Sequence, residues 1–249
     1  MKKIPVESAL KLIENRMNMA TAMLYLGKAQ AMVAGSQTPT SEVLKPSLEL
    51  RRLYPGIPPV TSCFIMQIKN PEYGSNGILI FADCAMNPEP SSAMLAQIAG
   101  ASAKVAKQIC NIEPKVAMLS FSTYGSSEHS AAVKIKEAVE IARRKFPEFE
   151  IDGELQVDAA LVPWIAEKKA AGSKVAGKAN VLVFPDLNSG NIAYKLVERL
   201  ADARAIGPIV LGLNPVVNDL SRGCSVEDII NICAVASIQC SLISGKDER

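Results

Sequence analysis

Hydrophobic positions at the start of this chain recur at helical spacing. They predict a helix over about 6–28, with a break near Arg16–Asn18. A short apolar run, Ala31–Ala34, predicts a strand closed by Gly35. Residues 40–53 return to helical spacing, and Pro46 must then sit near the first turn or kink the helix. The pattern next turns to β. Ser62–Lys69 and Gly77–Ala85 read as strands, and the turn-rich connector Asn70–Asn76 predicts an antiparallel hairpin.

Beyond the hairpin, helices and strands alternate. A helix is expected near 91–109, a strand at Lys115–Ser122, a helix near 130–145 and a strand at Ile151–Val157. A short helix near 161–169, a strand at Asn180–Phe184 and a helix near 189–203 follow. Strand Ile206–Leu213 leads to a last helix near 226–242, and the final Gly245–Arg249 is expected to fray. Such alternation predicts an α/β fold with a largely parallel sheet, helices on both faces, made mixed by the hairpin.

Composition narrows the function classes. The 249 residues, 49% hydrophobic and 21% charged, suit one large domain or two smaller ones. A net charge of +2, no long basic run and a single tryptophan point away from nucleic acid. The apolar stretches read as too short to cross a bilayer. Met1-Lys2-Lys3-Ile4-Pro5 leads into an amphipathic helix rather than a signal core, so no membrane and a cytoplasmic location are expected. Cys63, Cys84, Cys110, Cys224, Cys233 and Cys240 form no C-x-x-C pair and read as buried free thiols in a reducing compartment. Cys224 begins a helix, where a thiol pKa can fall, but packing explains it as well. With one histidine and no clustered thiols, no metal site is expected.

Candidate chemistry concentrates in Val217–Asp228, VNDLSRGCSVED. Arginine holds phosphate through a planar, permanently charged fork, a carboxylate accepts a proton, and a serine hydroxyl orients a nucleophile or donates to an anion. Ser221, Arg222 and Asp228 supply these three groups. Capping competes for Asp228, because Ser225-Val226-Glu227-Asp228 fits a capping box with Asp in place of the longer Glu or Gln. Ser221 and Arg222 precede the helix, so capping leaves them unexplained.

Ligands in open α/β sheets gather beyond the carboxyl ends of strands. Two more such places are polar here. Ser120–Ser130 offers small hydroxyl residues and N–H groups, including Ser122 and Gly125, that suit a phosphate or cap the next helix. His129 within it is expected at the surface or behind a site. Phe184–Asn191 is a tight strand-to-helix turn, and Lys195 one turn on is placed to meet a phosphate. Neither G-x-G-x-x-G nor the P-loop pattern occurs there.

These runs together resemble the phosphate acetyltransferase family. The resemblance rests on Phe81–Pro88, Met118–Thr123 with Gly125-Ser126, Ile151–Gln156 with Asp158–Ala160, and Ala176–Val181. It continues through Phe184–Asp186, Gly190–Ile192, Tyr194-Lys195, Gly207-Pro208 and Asn218–Cys224. It implies an isocitrate-dehydrogenase-like pair of α/β domains with a cleft between them. The outer domain would be residues 1–58 plus 209–249, the middle domain 59–208, and the assembly a homodimer.

The resemblance also implies roles. Asp228 corresponds to the base that deprotonates coenzyme A, Arg222 to the residue holding the phosphoryl group, and Ser221 to the serine orienting the thiol. Lys45, Lys195, Asn191, Tyr194, Ser122 and Gly125 would contact the substrates: coenzyme A or acetyl-CoA, acetyl phosphate and phosphate. No cofactor is implied. Lys45 stands where the family usually has arginine, so weaker anion binding is expected. Family members carry most of a first α/β half-domain ahead of the region matching Lys3–Asn15, so the outer domain is expected to be incomplete. A non-catalytic relative and a phosphate butyryltransferase are the alternatives; an oxidoreductase would follow from fold alone.

Overall fold

A computed structural model describes residues 5–51 and 59–247. Its elements run α1 Val6–Ile13, α2 Arg16–Tyr25, β1 Ala31–Ala34, α3 Thr40–Arg51, β2 Thr61–Gln67 and β3 Ile78–Ala82. Next come α4 Ser92–Gln108, β4 Lys115–Leu119, α5 Ser130–Lys145, β5 Glu150–Leu155, α6 Val157–Leu161 and α7 Pro163–Lys169. The chain continues with β6 Val181–Val183, α8 Leu187–Leu200, β7 Arg204–Leu211, β8 Val216–Asp219 and α9 Val226–Asp247. The fold is α/β. Two compact units emerge, one of 1–58 with 207–249 and one of 59–206.

The larger unit is built on a mixed sheet in the order β5-β4-β6-β3-β2, with β7, which begins in this unit, next to β2. β2 and β3 form the expected antiparallel hairpin, pairing Cys63 with Ala82 and Phe64 with Phe81. β3, β4, β5 and β6 are mutually parallel where they pair. β3 and β4 are nearly continuous apolar runs because both faces of the sheet are covered. One buried cluster joins Phe64, Phe81, Leu119, Leu155, Leu182 and Phe184. The helix expected at 161–169 is α7, which Pro163 opens at a position where its missing N–H costs nothing, and the short helix α6 precedes it.

The other unit has a two-stranded sheet of its own, β1-β8. Val216–Asp219, read as part of the approach to the last helix, is a strand parallel to β1, from Ala31↔Val216 to Ala34↔Asp219. Asn218, fully buried, accepts from the Val210 N–H at 2.8 Å and donates to Gln239 Oε1 at 2.7 Å. Gln239 returns a bond to the Val210 carbonyl at 3.1 Å, closing a ring between strand ends and α9. Pro46 lies inside α3, beyond its first turn. The expected helical residues 52–53 lie outside the described residues, as do Glu248 and Arg249 of the expected frayed tail.

α9 overturns two further expectations. It stays helical through Gly245–Asp247. Its stretch Val226–Ser244 is also long and apolar enough to cross a membrane by length and composition, with mean hydropathy 1.5. Asn231, Ser237 and Gln239 break up its apolar runs, which hides that average from a search for continuous stretches. The thiols are less buried than expected as well. Cys63 and Cys84 are buried, Cys110, Cys224 and Cys240 are half-buried, and Cys233 is exposed.

Candidate active site

The chain leaves β8 at Asp219 and reaches α9 through a short turn. Within it the Cys224 N–H donates to the Ser221 carbonyl at 3.0 Å, and the Gly223 N–H donates to Ser221 Oγ at 3.2 Å. Ser221 and Arg222 are exposed. At the helix entry the capping box is formed. Ser225 Oγ accepts from the Asp228 N–H at 3.2 Å, while Asp228 Oδ2 accepts from the Ser225 N–H at 2.8 Å and hydroxyl at 2.9 Å. The shorter Asp side chain thus reaches back as Glu or Gln would. Both bonds fall on one oxygen, so the cap and a proton-accepting role for Asp228 are compatible.

Lys45 belongs to the same unit and is exposed on α3. It lines a cavity of about 690 Å3 with Leu12, Asn18, Thr21, Glu42 and Glu49. Ser221, Arg222 and Asp228 do not line that cavity.

In the larger unit the Ser120–Ser130 loop is wound around an internal carboxyl group. Glu154, at the carboxyl end of β5, is 1% exposed. Its Oε1 accepts from the Ser122 hydroxyl at 2.9 Å and the Gly125 N–H at 2.7 Å. Ser122 is itself buried, and its Oγ accepts from the Ser127 N–H at 3.1 Å. Ser122 and Gly125, expected to contact the substrates, thus both donate to an internal carboxyl group. His129 is exposed and caps α5 through Nδ1, which accepts from the Ala131 N–H at 3.2 Å.

Asn191, Tyr194 and Lys195 lie on α8, whose N-terminus is capped by Asp186 accepting from the Ser189 N–H at 2.8 Å. Asn191 Nδ2 donates to the Cys84 carbonyl at 3.0 Å. The Tyr194 ring stacks on Phe64 with centroids 4.2 Å apart. Burial, with Glu198 nearby, pushes the Tyr194 phenol up to about 12, so it stays protonated at neutral pH. Lys195 is exposed, its Nζ 5.7 Å from the Tyr194 ring centroid.

Reasoning from sequence missed Asp83, which organises the turn beneath α8. It is 2% exposed and accepts from the Thr61 hydroxyl at 3.0 Å and the Ala85 and Met86 N–H groups at 3.0 and 3.1 Å. The Ser62 hydroxyl and Asn87 amide also donate to it. The available signal was a carboxylate directly after the apolar strand β3. Among the described residues no cluster of three or more His, Cys, Asp or Glu is arranged to hold a metal.

Comparison with known proteins places this geometry in a family. The profile described as "Phosphate acetyl/butaryl transferase" matches residues 1–237. A phosphate acetyltransferase of Thermoanaerobacterium thermosaccharolyticum is 50% identical over 238 residues, covering 96% of this chain and 73% of that protein. A solved phosphotransacetylase from Streptococcus pyogenes superposes with TM-score 0.88 at 44% identity, over 95% of this chain and 70% of its own. The EutD phosphotransacetylase from Staphylococcus aureus gives 0.84 at 44% identity, over 96% and 71%. This chain belongs to the phosphate acetyl/butaryl transferase family.

Proposed function

We infer that the chain is a phosphate acetyltransferase, moving an acetyl group reversibly between acetyl phosphate and coenzyme A. The observation that carries this is the 50% identity to a phosphate acetyltransferase across nearly the whole chain. The Ser221–Asp228 turn supplies suitable groups. Asp228 takes the proton of the coenzyme A thiol. The thiolate attacks the acetyl carbon, a C–S bond forms, the C–O bond to phosphate breaks, and phosphate leaves. Arg222 holds the phosphoryl group through its fork, and Ser221 orients the thiol. No acyl-enzyme and no cofactor take part.

Lys45, Lys195, Asn191 and Tyr194 complete substrate binding in this reading. The two units correspond to an isocitrate-dehydrogenase-like pair of domains. The protein works as a homodimer in the cytoplasm, and the exposed Ile192, Leu196 and Leu200, spaced a turn apart on α8, offer apolar surface for a second copy.

The test is thioester formation by the purified protein from coenzyme A with acetyl phosphate and, separately, butyryl phosphate. Faster turnover of acetyl phosphate supports the reading. Preference for butyryl phosphate would replace it with the longer-chain activity, and no thioester from either would reject the enzyme.

A further inference from the structure

One buried carboxylate in the smaller unit has no part in the proposed reaction. Asp219 ends β8, two residues before Ser221, and is 1% exposed. Its Oδ2 accepts from the hydroxyl of Thr40, the first residue of α3. Its Oδ1 is enclosed and has no hydrogen-bond partner. The carboxylate is accommodated because Gly35 lacks a side chain. A methyl group there would lie 2.3 Å from Asp219 Oδ1, and Gly35 has φ +126° besides. The Leu220 N–H donates to the Ala34 carbonyl at 2.8 Å, so the strand ends are joined beside this carboxylate.

A buried carboxylate left with an unpaired oxygen is costly. Here it fixes one end of α3 to the strand leading into the Ser221–Arg222 turn. α3 carries Lys45 a turn and a half further on. We propose that Asp219 is a positioning residue: through Thr40 it holds α3, and so Lys45, in register with the Ser221–Arg222 turn for binding the phosphorylated substrate.

This rests on the acetyltransferase reading, and the experiment separates the two. Thr40→Val removes the hydroxyl while keeping the shape of the side chain, and Thr40→Ser restores it. Thr40→Val should raise KM for acetyl phosphate roughly tenfold and leave kcat within about threefold, the signature of lost binding shared by ground and transition states. Thr40→Ser should return KM to near the wild-type value. In a Lys45→Ala background Thr40→Val should add no further rise. An unchanged KM in Thr40→Val, or the same rise with Lys45 already removed, overturns the proposal.

Should the wild-type protein transfer no acetyl group, the functional reading fails, and amide hydrogen exchange decides the structural link. Thr40→Val must then speed exchange in both 40–44 and 220–224. Faster exchange confined to 40–44 would overturn it.

Discussion

Ser225 and Asp228 hold each other at the entrance to α9, with the Ser225 N–H and hydroxyl both directed at Asp228 Oδ2, at 2.8 and 2.9 Å. This pair separates folding from chemistry experimentally. In Asp228→Asn the amide oxygen still accepts from Ser225, so the helix entry is kept while the proton acceptor is gone. Turnover should fall by about 10² to 10⁴, with little change in the urea midpoint. Ser225→Ala removes the cap and should cost about 1 kcal/mol of stability. If Asp228→Asn instead destabilised the protein as much as Ser225→Ala and left kcat intact, Asp228 would be a cap alone.

The elements that were legible in the sequence are those with strong local signals. α5 and β1 fall on the expected residues because an uninterrupted period and a clear boundary specify them. β8 was hidden because a four-residue strand between Pro215 and a polar turn carries too short a pattern, and its partner β1 lies far back in the chain. The site divides in the same way. Ser221, Arg222 and Asp228 stand out as residue types close in sequence. Asp83, Glu154 and Asp219 do not, since what distinguishes each is its donors: Thr61 and Ser62 for Asp83, Ser122 and Gly125 for Glu154, and Thr40 for Asp219. Only the folded chain brings those together. The bonds that Ser122 and Gly125 make to Glu154 are likewise a product of the fold.

Gly190 lets α8 approach the Asp83 turn. A methyl group at that position would lie 2.4 Å from the Asp83 carbonyl oxygen and 3.2 Å from Cys84 Sγ. A backbone carbonyl cannot swing aside as a flexible side chain can, so the helix itself must shift. Gly190→Ala should lose about 1–3 kcal/mol in urea unfolding, the usual range for overpacking. It should also disturb the Asn191 bond to the Cys84 carbonyl, and so weaken coenzyme A binding measured by calorimetry. A stable, tightly binding Gly190→Ala protein would show that the close approach is dispensable.

Glu154 is the acceptor around which the Ser120–Ser130 loop is wound. Removing its carboxylate leaves the buried Ser122 hydroxyl and the Gly125 N–H without that acceptor. Glu154→Ala should therefore lose about 1–3 kcal/mol, the scale for buried donors left without their acceptor. Limited proteolysis should open the loop between Ser120 and Ser130 at protease levels that leave wild type whole. If unfolding and cleavage both matched wild type, the loop would owe its shape to the serine contacts alone.

Asp219 leaves its mark on stability as a function of pH. Burial raises its pKa above the ordinary 3.8, against the lowering effect of the bond from Thr40. Because the folded value exceeds the unfolded one, the associated stability is fully present below the unfolded pKa. It is lost as pH rises through the folded pKa. Asp219→Asn has no such proton to release. The difference in Tm, Asn variant minus wild type, should therefore grow as pH rises through the folded pKa of Asp219 and then level off. The carboxylates of Glu150, Asp158 and Asp202, held low by hydrogen bonds from Lys115, Lys169 and Lys69, favour the folded state in the opposite direction of pH. They are common to both proteins and cancel in the difference. Paired melts across that range measure it, and a difference that shrinks with rising pH would mean that the folded protein favours the charged form of Asp219.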